Sequence, residues 1–310
     1  MVSGGGNRLR WEELPSRVRR GVEEILGSPV VAARSQPGGF SPGTADRLTT
    51  AAGTAAFVKA VSPAQNPDTP GIHRTEAAVC RQLPTDVPTA RFLGLYDDGE
   101  WVGLVLEDVE GRHPTTPWLT HELEATLDAL ATLAHRLTPA PVDGVPTAAA
   151  AIGPLFAGWS RLAEEPPADL GAWPGAHLSE LVELSRVGLA AMAGRTLVHL
   201  DVRADNLLIR PNGEVVVVDW PQACVGPPWL DTLILLANVN LHGGHDVDEL
   251  AARYAGEASP ADVDGFLAGL AGFFLDAARR PSPMGLPTVR GFQRAQGVAT
   301  LDWLRRRLST

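Results

Sequence analysis

Apolar residues recur at helical spacing through Trp11, Leu14, Val18, Val22, Ile25 and Leu26, and Gly27 stands where such a helix would stop. The pattern then shortens into strands. Residues 30–33 are a brief apolar run and 55–61 a second, while 91–96 and 101–106 flank Asp97-Asp98-Gly99-Glu100, a turn with glycine where a hairpin needs it. One short helix is expected among them, at 72–83, closed by Pro84. Residues 62–71, rich in Pro, Asn and Asp, are expected as loop.

The apolar run stops at 107–111, and beyond it the spacing becomes helical. Leu119, Leu123, Leu127, Leu130, Leu133 and Leu137 form a stripe ended by Pro139. Further helices are expected at 178–192, with Gly194 as C-terminal cap, and at 229–239, 246–254, 260–278 and 287–308. Between them, two short apolar runs about Arg210-Pro211-Asn212-Gly213 predict a hairpin, and no fixed-period repeat occurs. The pattern predicts an α+β chain in two lobes: a small β-rich lobe with a leading helix over residues 1–108, and a larger, mainly helical lobe over 109–310.

Composition narrows the function classes. With 45% hydrophobic and 20% charged residues in 310, the chain is an ordinary globular one. Its formal charge of −10 argues against unaided binding to nucleic acid or anionic membrane and suits a cationic small-molecule partner. The first 108 residues hold 11 basic and 13 acidic side chains, so most of the excess lies in the second lobe. Cys80 and Cys224 give neither a disulfide framework nor metal spacing. No apolar run reaches membrane-spanning length and residues 1–7 lack a signal-peptide pattern, so the expected location is cytoplasmic. The basic residues are sharper still: all are arginine except Lys59, in the middle of the 55–61 strand. A chain that otherwise uses arginine keeps a lysine where a compact, flexible ammonium is needed.

The candidate chemistry converges on residues 197–231. Asp201 and Asn206 are separated by four residues, and Asp219 follows at the exit of the expected hairpin. A loop ending in Asn, a hairpin and then Asp can supply one base and two oxygen ligands, the set that metal-assisted phosphoryl transfer requires. Upstream, the glycine-rich run 35–44, containing Ser41, could lie over phosphates. Strand, glycine loop, strand and strand lysine is the order of kinase small lobes, and Glu76 on the 72–83 helix can pair with Lys59.

Taken together, Lys59, Glu76, His199-Leu200-Asp201 with Asn206, Asp219-Trp220 and Asp231 resemble the aminoglycoside phosphotransferase and choline kinase-like group, over most of the chain from Trp11 onward. The resemblance implies the bilobal protein-kinase-like fold, with Asp201 as catalytic base, Asn206 and Asp219 holding Mg2+, and Lys59 on the α/β-phosphates. It also implies the Glu107 carbonyl and Val109 amide on the adenine edge, His199 packed beneath the loop, and Asp231 bracing that loop. Arg203 departs from the small residues or histidine common at its place. It either stabilises transferred negative charge or pairs with Asp205 or a backbone carbonyl.

Only eleven residues separate Asp219 from Asp231, with no Ala-Pro-Glu ending, which favours a small-molecule acceptor over a protein. The leading expectation is an ATP-dependent O-phosphotransferase, with GTP left open as donor, acting as monomer or homodimer on a hydroxylated, aminoglycoside-like cationic molecule, as in antibiotic resistance. Asp246, Asp248 and Glu249 are weak acceptor-site candidates beside a helix start. The alternatives are a metabolic kinase for choline, homoserine, a sugar or a glycated amine, and a nucleotide-binding pseudokinase. Retention of the lysine, glutamate, base and both metal ligands counts against the last.

Overall fold

In a computed structural model describing residues 8–36 and 42–309, the protein forms two compact units. The first contains the described residues up to His113, with Asp205–Gln222 and Ser282–Thr288. Its frame is an antiparallel sheet of β1 (Val30–Ser35), β2 (Thr44–Thr50), β3 (Ala55–Val61), β4 (Phe92–Asp97) and β5 (Val102–Glu107), in the order β1-β2-β3-β5-β4. Leu48, Ala56, Val58, Ala60 and Val105 pack with Trp11, Leu14, Val18 and Val22 of the leading segment. Strand alternation therefore turns Lys59 to the opposite face from Val58 and Ala60.

The leading segment is broken where the sequence pattern runs through. Trp11–Glu13 is a 3-10 turn and α1 (Ser16–Leu26) begins after Pro15, because Leu14, which precedes the proline, is held extended at ψ 144°. Gly27 closes α1 in the left-handed region at φ 68°, as expected. The next helix, α2 (Thr69–Cys80), starts inside the expected loop. The Asn66 side-chain oxygen accepts from the Asp68 and Thr69 amides and the Thr69 hydroxyl, at 2.9, 3.1 and 3.0 Å, and Pro70 suits a first turn. The Asn66 amide also donates to the Met284 carbonyl, tying residues 282–288 to this unit.

The expected hairpin is present as Leu207–Ile209 paired with Val215–Val217. It is held within the first unit by a bridge from Ile209 to Arg112 and by the Val217 amide on the Pro88 carbonyl. A working boundary after Asp108 stays a proposal, since this unit gathers chain from three stretches.

The second unit is helical apart from a ribbon of Thr196–Val198 with Cys224–Gly226. The helix Pro260–Ala278 lies between Leu178–Ala190 and Val289–Arg307. A Cβ added at Gly188 would lie 2.3 Å from the Gly265 carbonyl, so two helix backbones touch there and neither glycine can be enlarged. Helices Ala148–Phe156, Gly158–Glu164 and Ala172–Ala176 escape the sequence pattern because Pro154, Gly158 and Pro174 read as breaks. Gly194 is not a helix cap: Leu178–Ala190 ends earlier, and a Cβ on Gly194 would meet the Gly226 oxygen at 2.0 Å, so close backbone approach is its reason. Among the described residues no helix is long and apolar enough to cross a membrane.

Candidate active site

In the first unit, the sheet presents Lys59 between two carboxylates. Its ammonium donates to both Glu76 oxygens, at 2.8 and 2.9 Å, and to Asp219 Oδ1 at 2.8 Å. Glu76, on α2, is fully buried. Burial alone would lower the Lys59 pKa, but the charges of Asp219 and Glu76 outweigh it and raise the value, so the lysine stays an ammonium. Burial pushes the Glu76 carboxyl up, against the pull of Lys59. Buried charges of this kind persist only when paired, and deleting one partner of such a pair costs about 3–5 kcal/mol.

Asp219 reaches Lys59 from a strained backbone, at φ 71° in the left-handed region that non-glycine residues rarely occupy. The Val218 amide donates to the Asn206 carbonyl at 3.0 Å, fastening the hairpin exit to the residue before its first strand. The sequence-derived residues Lys59, Glu76 and Asp219 therefore form one cluster, and Asn206 is tied to the segment that carries Asp219.

Three neighbours were not singled out from sequence. His73 lies one turn before Glu76 on α2 and is 1% exposed. Burial and the Lys59 charge hold its imidazole pKa down to about 3, so it is neutral. Its i, i+3 spacing to Glu76 is the signal that could have found it. Asp46, also 1% exposed, accepts from the Ser35 hydroxyl at the end of β1. Arg8, which feels the charges of Asp219 and Asp46, has no sequence signal within its glycine-rich surroundings.

Glu107 ends β5, with its carboxylate 2.8 Å from Arg91. The Val109 carbonyl accepts from Arg47 at 2.9 Å, and Arg47 also pairs with Asp108 at 3.0 Å, so β2 anchors this linker. Ser41 lies outside the described residues.

Asp201 and Arg203 belong to the second unit, on a loop held by its own main chain. The Asp231 carboxylate accepts from the His199 amide at 2.7 Å and the Leu200 amide at 2.9 Å. Leu200 takes φ 66°, a strained value that this pair of bonds holds in place. His199 is fully buried and its Nδ1 accepts from the Asp201 amide at 3.2 Å, which leaves the proton on Nε2 and makes the ring a support for the loop. Arg203 Nε lies 3.6 Å from Asp201 Oδ1, and its guanidinium is 5.5 Å from the Phe292 ring centre. Asp246 and Asp248 are committed elsewhere. Asp246 caps the helix Val247–Tyr254, and Asp248 meets Arg307 at 2.6 Å and the Trp303 indole at 3.0 Å.

The donors present suit Mg2+ better than a caged metal. Among the described residues no three His, Cys, Asp or Glu converge on one point. Mg2+ needs only one or two protein oxygens, because phosphate and water complete its shell, and Asp219 with Asn206 supply hard oxygens from one backbone-tied segment.

None of the curated protein sequences compared with the chain matches it. Among solved structures, it is similar to an aminoglycoside phosphotransferase from Alicyclobacillus acidocaldarius, with TM-score 0.54 and 19% identity over 93% of this chain and 96% of that one. It is likewise similar to the choline kinase LicA from Streptococcus pneumoniae, with TM-score 0.61 and 14% identity over 94% and 98%. The macrolide 2'-phosphotransferase MphH from Brachybacterium faecium gives TM-score 0.56 and 15% identity over 91% and 96%. At these identities the likeness establishes the kinase-like α+β fold, in agreement with the sequence pattern. The family profile described as "Phosphotransferase enzyme family" matches residues 34–266, about three quarters of the sequence, and the chain belongs to that family.

Proposed function

We propose that the protein transfers the γ-phosphoryl group of Mg2+-bound ATP to a hydroxyl of a small molecule. The observation that carries this reading is the Lys59 ammonium, held within 2.9 Å of both Glu76 oxygens and 2.8 Å from Asp219. A buried lysine fixed between two carboxylates is oriented for phosphate oxygens. The solved phosphotransferase APH(4)-Ia, similar in fold at TM-score 0.60 and 17% identity, holds ADP and hygromycin B, which supports the nucleotide and the acceptor type.

The roles divide between the two units. In the first, Lys59 contacts the nucleotide phosphates and Glu76 fixes its direction. Glu107 and Val109 meet the adenine edge, and Asn206 and Asp219 hold Mg2+. Bound there, the metal neutralises charge on the phosphate oxygens. In the second unit, Asp201 orients the acceptor hydroxyl and takes its proton, while Asp231 and His199 keep the Asp201 backbone in place. Arg203 sets the carboxylate's direction through its contact with Oδ1.

The test is Mg·ATP turnover against a panel of hygromycin B, another aminoglycoside, a macrolide, spectinomycin and choline, with ADP release and the mass of the phosphorylated product as readouts. A phosphorylated product that disappears in Asp201→Asn supports the reading. Turnover unchanged in Asp201→Asn, or no binding of Mg·ATP by calorimetry, sinks it.

A further inference from the structure

The N-terminal segment brings a second cation to the phosphate end of the first unit. Arg8 forms a parallel bridge with Gly43, and the Leu9 amide donates to the Gly43 carbonyl at 3.1 Å. Gly43 immediately precedes Thr44, which pairs with Ala60, and Ala45 pairs with Lys59, so Arg8 enters two register steps from the lysine's own strand pair. A Cβ on Gly43, at φ 96°, would meet the Ala60 carbonyl at 2.4 Å, so only glycine lets the chain pass there.

Arg8 is half-buried, and its guanidinium lies within electrostatic range of Asp219 and Asp46. A second, independent feature points to a ligand at this place. His73, 1% exposed, has a buried Nδ1 with no hydrogen-bond partner, and it lies within electrostatic range of Lys59, Asp219 and Arg8 alike. A buried ring nitrogen without a partner is costly, and it is satisfied once a polar group or its water enters. The charges also balance only in part for a triphosphate. Lys59 is opposed by Glu76 as well as Asp219, and Arg8, though it faces Asp219 and Asp46, adds a cation whose planar fork matches phosphate oxygens.

We propose that Arg8, carried on the N-terminal segment beside Gly43, is a second phosphate-contacting cation of the nucleotide site, joining Lys59 at the polyphosphate beside His73. The assignment rests on the nucleotide reading of Lys59 above. It makes the segment before α1 part of the binding machinery, and nucleotides with more phosphate groups gain most from it.

Calorimetric titration of the full chain with Mg·ATP and, separately, with adenosine tests this. In Arg8→Gln the Mg·ATP affinity is expected to fall about tenfold to a hundredfold, as for loss of one charge-assisted contact, with adenosine affinity unchanged. Arg8→Lys, which keeps the charge, should recover part of the loss. The proposal is overturned if Arg8→Gln binds Mg·ATP like the wild type, or if it loses ATP and adenosine to the same extent, the mark of a displaced segment. Should Arg8→Gln fail to fold, Arg8→Lys decides: ATP affinity lowered with adenosine intact supports the contact, and equal affinities for both ligands overturn it. Lys59→Ala separates this from the parent reading. If that variant loses ATP and Arg8→Gln does not, only the Arg8 assignment fails; wild-type protein that binds neither ligand removes the nucleotide reading itself.

Discussion

Two buried carboxylates, one in each unit, hold the two halves of the proposed site in different ways. Glu76, in the first unit, grips a side chain: both its oxygens take the Lys59 ammonium. Asp231, in the second, grips the main chain, taking the amides of His199 and Leu200. A side-chain ion pair can be re-partnered when a phosphate or metal ion arrives, because the lysine has a flexible stem and Asp219 is already shared. A carboxylate on two backbone amides fixes φ and ψ and leaves little to rearrange. The Lys59 cluster, the proposed nucleotide end, is thus built to exchange partners, and the loop bearing Asp201 is built to stay put.

The comparison is broken most directly at Asp201, on the braced loop. Asp201→Asn keeps the size and the backbone bond to His199 while removing the proposed base, so kcat is expected to fall by about 10²–10⁴ with Mg·ATP affinity nearly unchanged. Steady-state kinetics with whichever panel acceptor reacts, alongside calorimetry, checks both parts. A parallel loss of nucleotide affinity would mean that the base and the nucleotide end are not separable in the way described.

Next in size is Asp231→Ala. It leaves two amides without their charged acceptor beneath a strained Leu200, and the expected loss is about 3 kcal/mol of stability. Urea denaturation monitors the stability and kcat the loop. If the variant were as stable as the wild type but inactive, the carboxylate would matter for the loop alone. Glu76→Gln should do less, since Asp219 still holds the lysine: a rise of about tenfold in KM for ATP, near 1.4 kcal/mol, with a smaller change in melting temperature than Asp231→Ala. Equal destabilisation by the two variants would erase the distinction between a re-partnering pair and a fixed brace.

The two halves were unequally legible in the sequence. The hairpin and the proposed catalytic loop could be read because their candidate residues are spaced along one continuous stretch, from Asp201 through Asn206 to Asp219. Lys59 was legible by rarity, and Glu76 by its place on the next helix. The brace at Asp231 came through resemblance, since nothing in local spacing says that a helix-start carboxylate turns to amides 31 and 32 residues back. Arg8 and Asp46 were not legible, because they come near one another only once the sheet register is set, and His73 was overlooked on the helix that carries Glu76. The start of α2 was missed because Pro70 and Gly71 read as loop, and only the Asn66 oxygen, folded back onto Thr69, shows that the helix has begun. Gly194 was misread for a related reason: a glycine after a helical run looks like a cap unless the strand it touches is known.

A third buried carboxylate, Asp276, sharpens the contrast because it titrates in the opposite direction to Asp231. Its oxygens meet Arg161 at 2.7 Å, Arg279 at 2.9 Å and Arg280 at 2.5 Å. Burial would raise its pKa, but the three guanidinium hydrogen bonds outweigh that and lower it; for Asp231, burial prevails and raises the value. A carboxylate with a lowered pKa contributes stability above its unfolded value near 4, and that contribution disappears as pH falls through the lower folded value. The arginines are between about a quarter and a half exposed, so solvent screening limits the effect to about 1 kcal/mol. Asp276→Asn is therefore expected to be about 1 kcal/mol less stable than the wild type at pH 7, with the gap closing as pH drops below about 4. Asp231 runs the other way: its ionised form is the costly one, so its contribution to stability falls as pH rises from the unfolded value toward the folded one. Urea titrations of both variants across pH 3–7 distinguish them, and an Asp276→Asn gap that widened in acid would show that its arginines do not hold the carboxylate ionised.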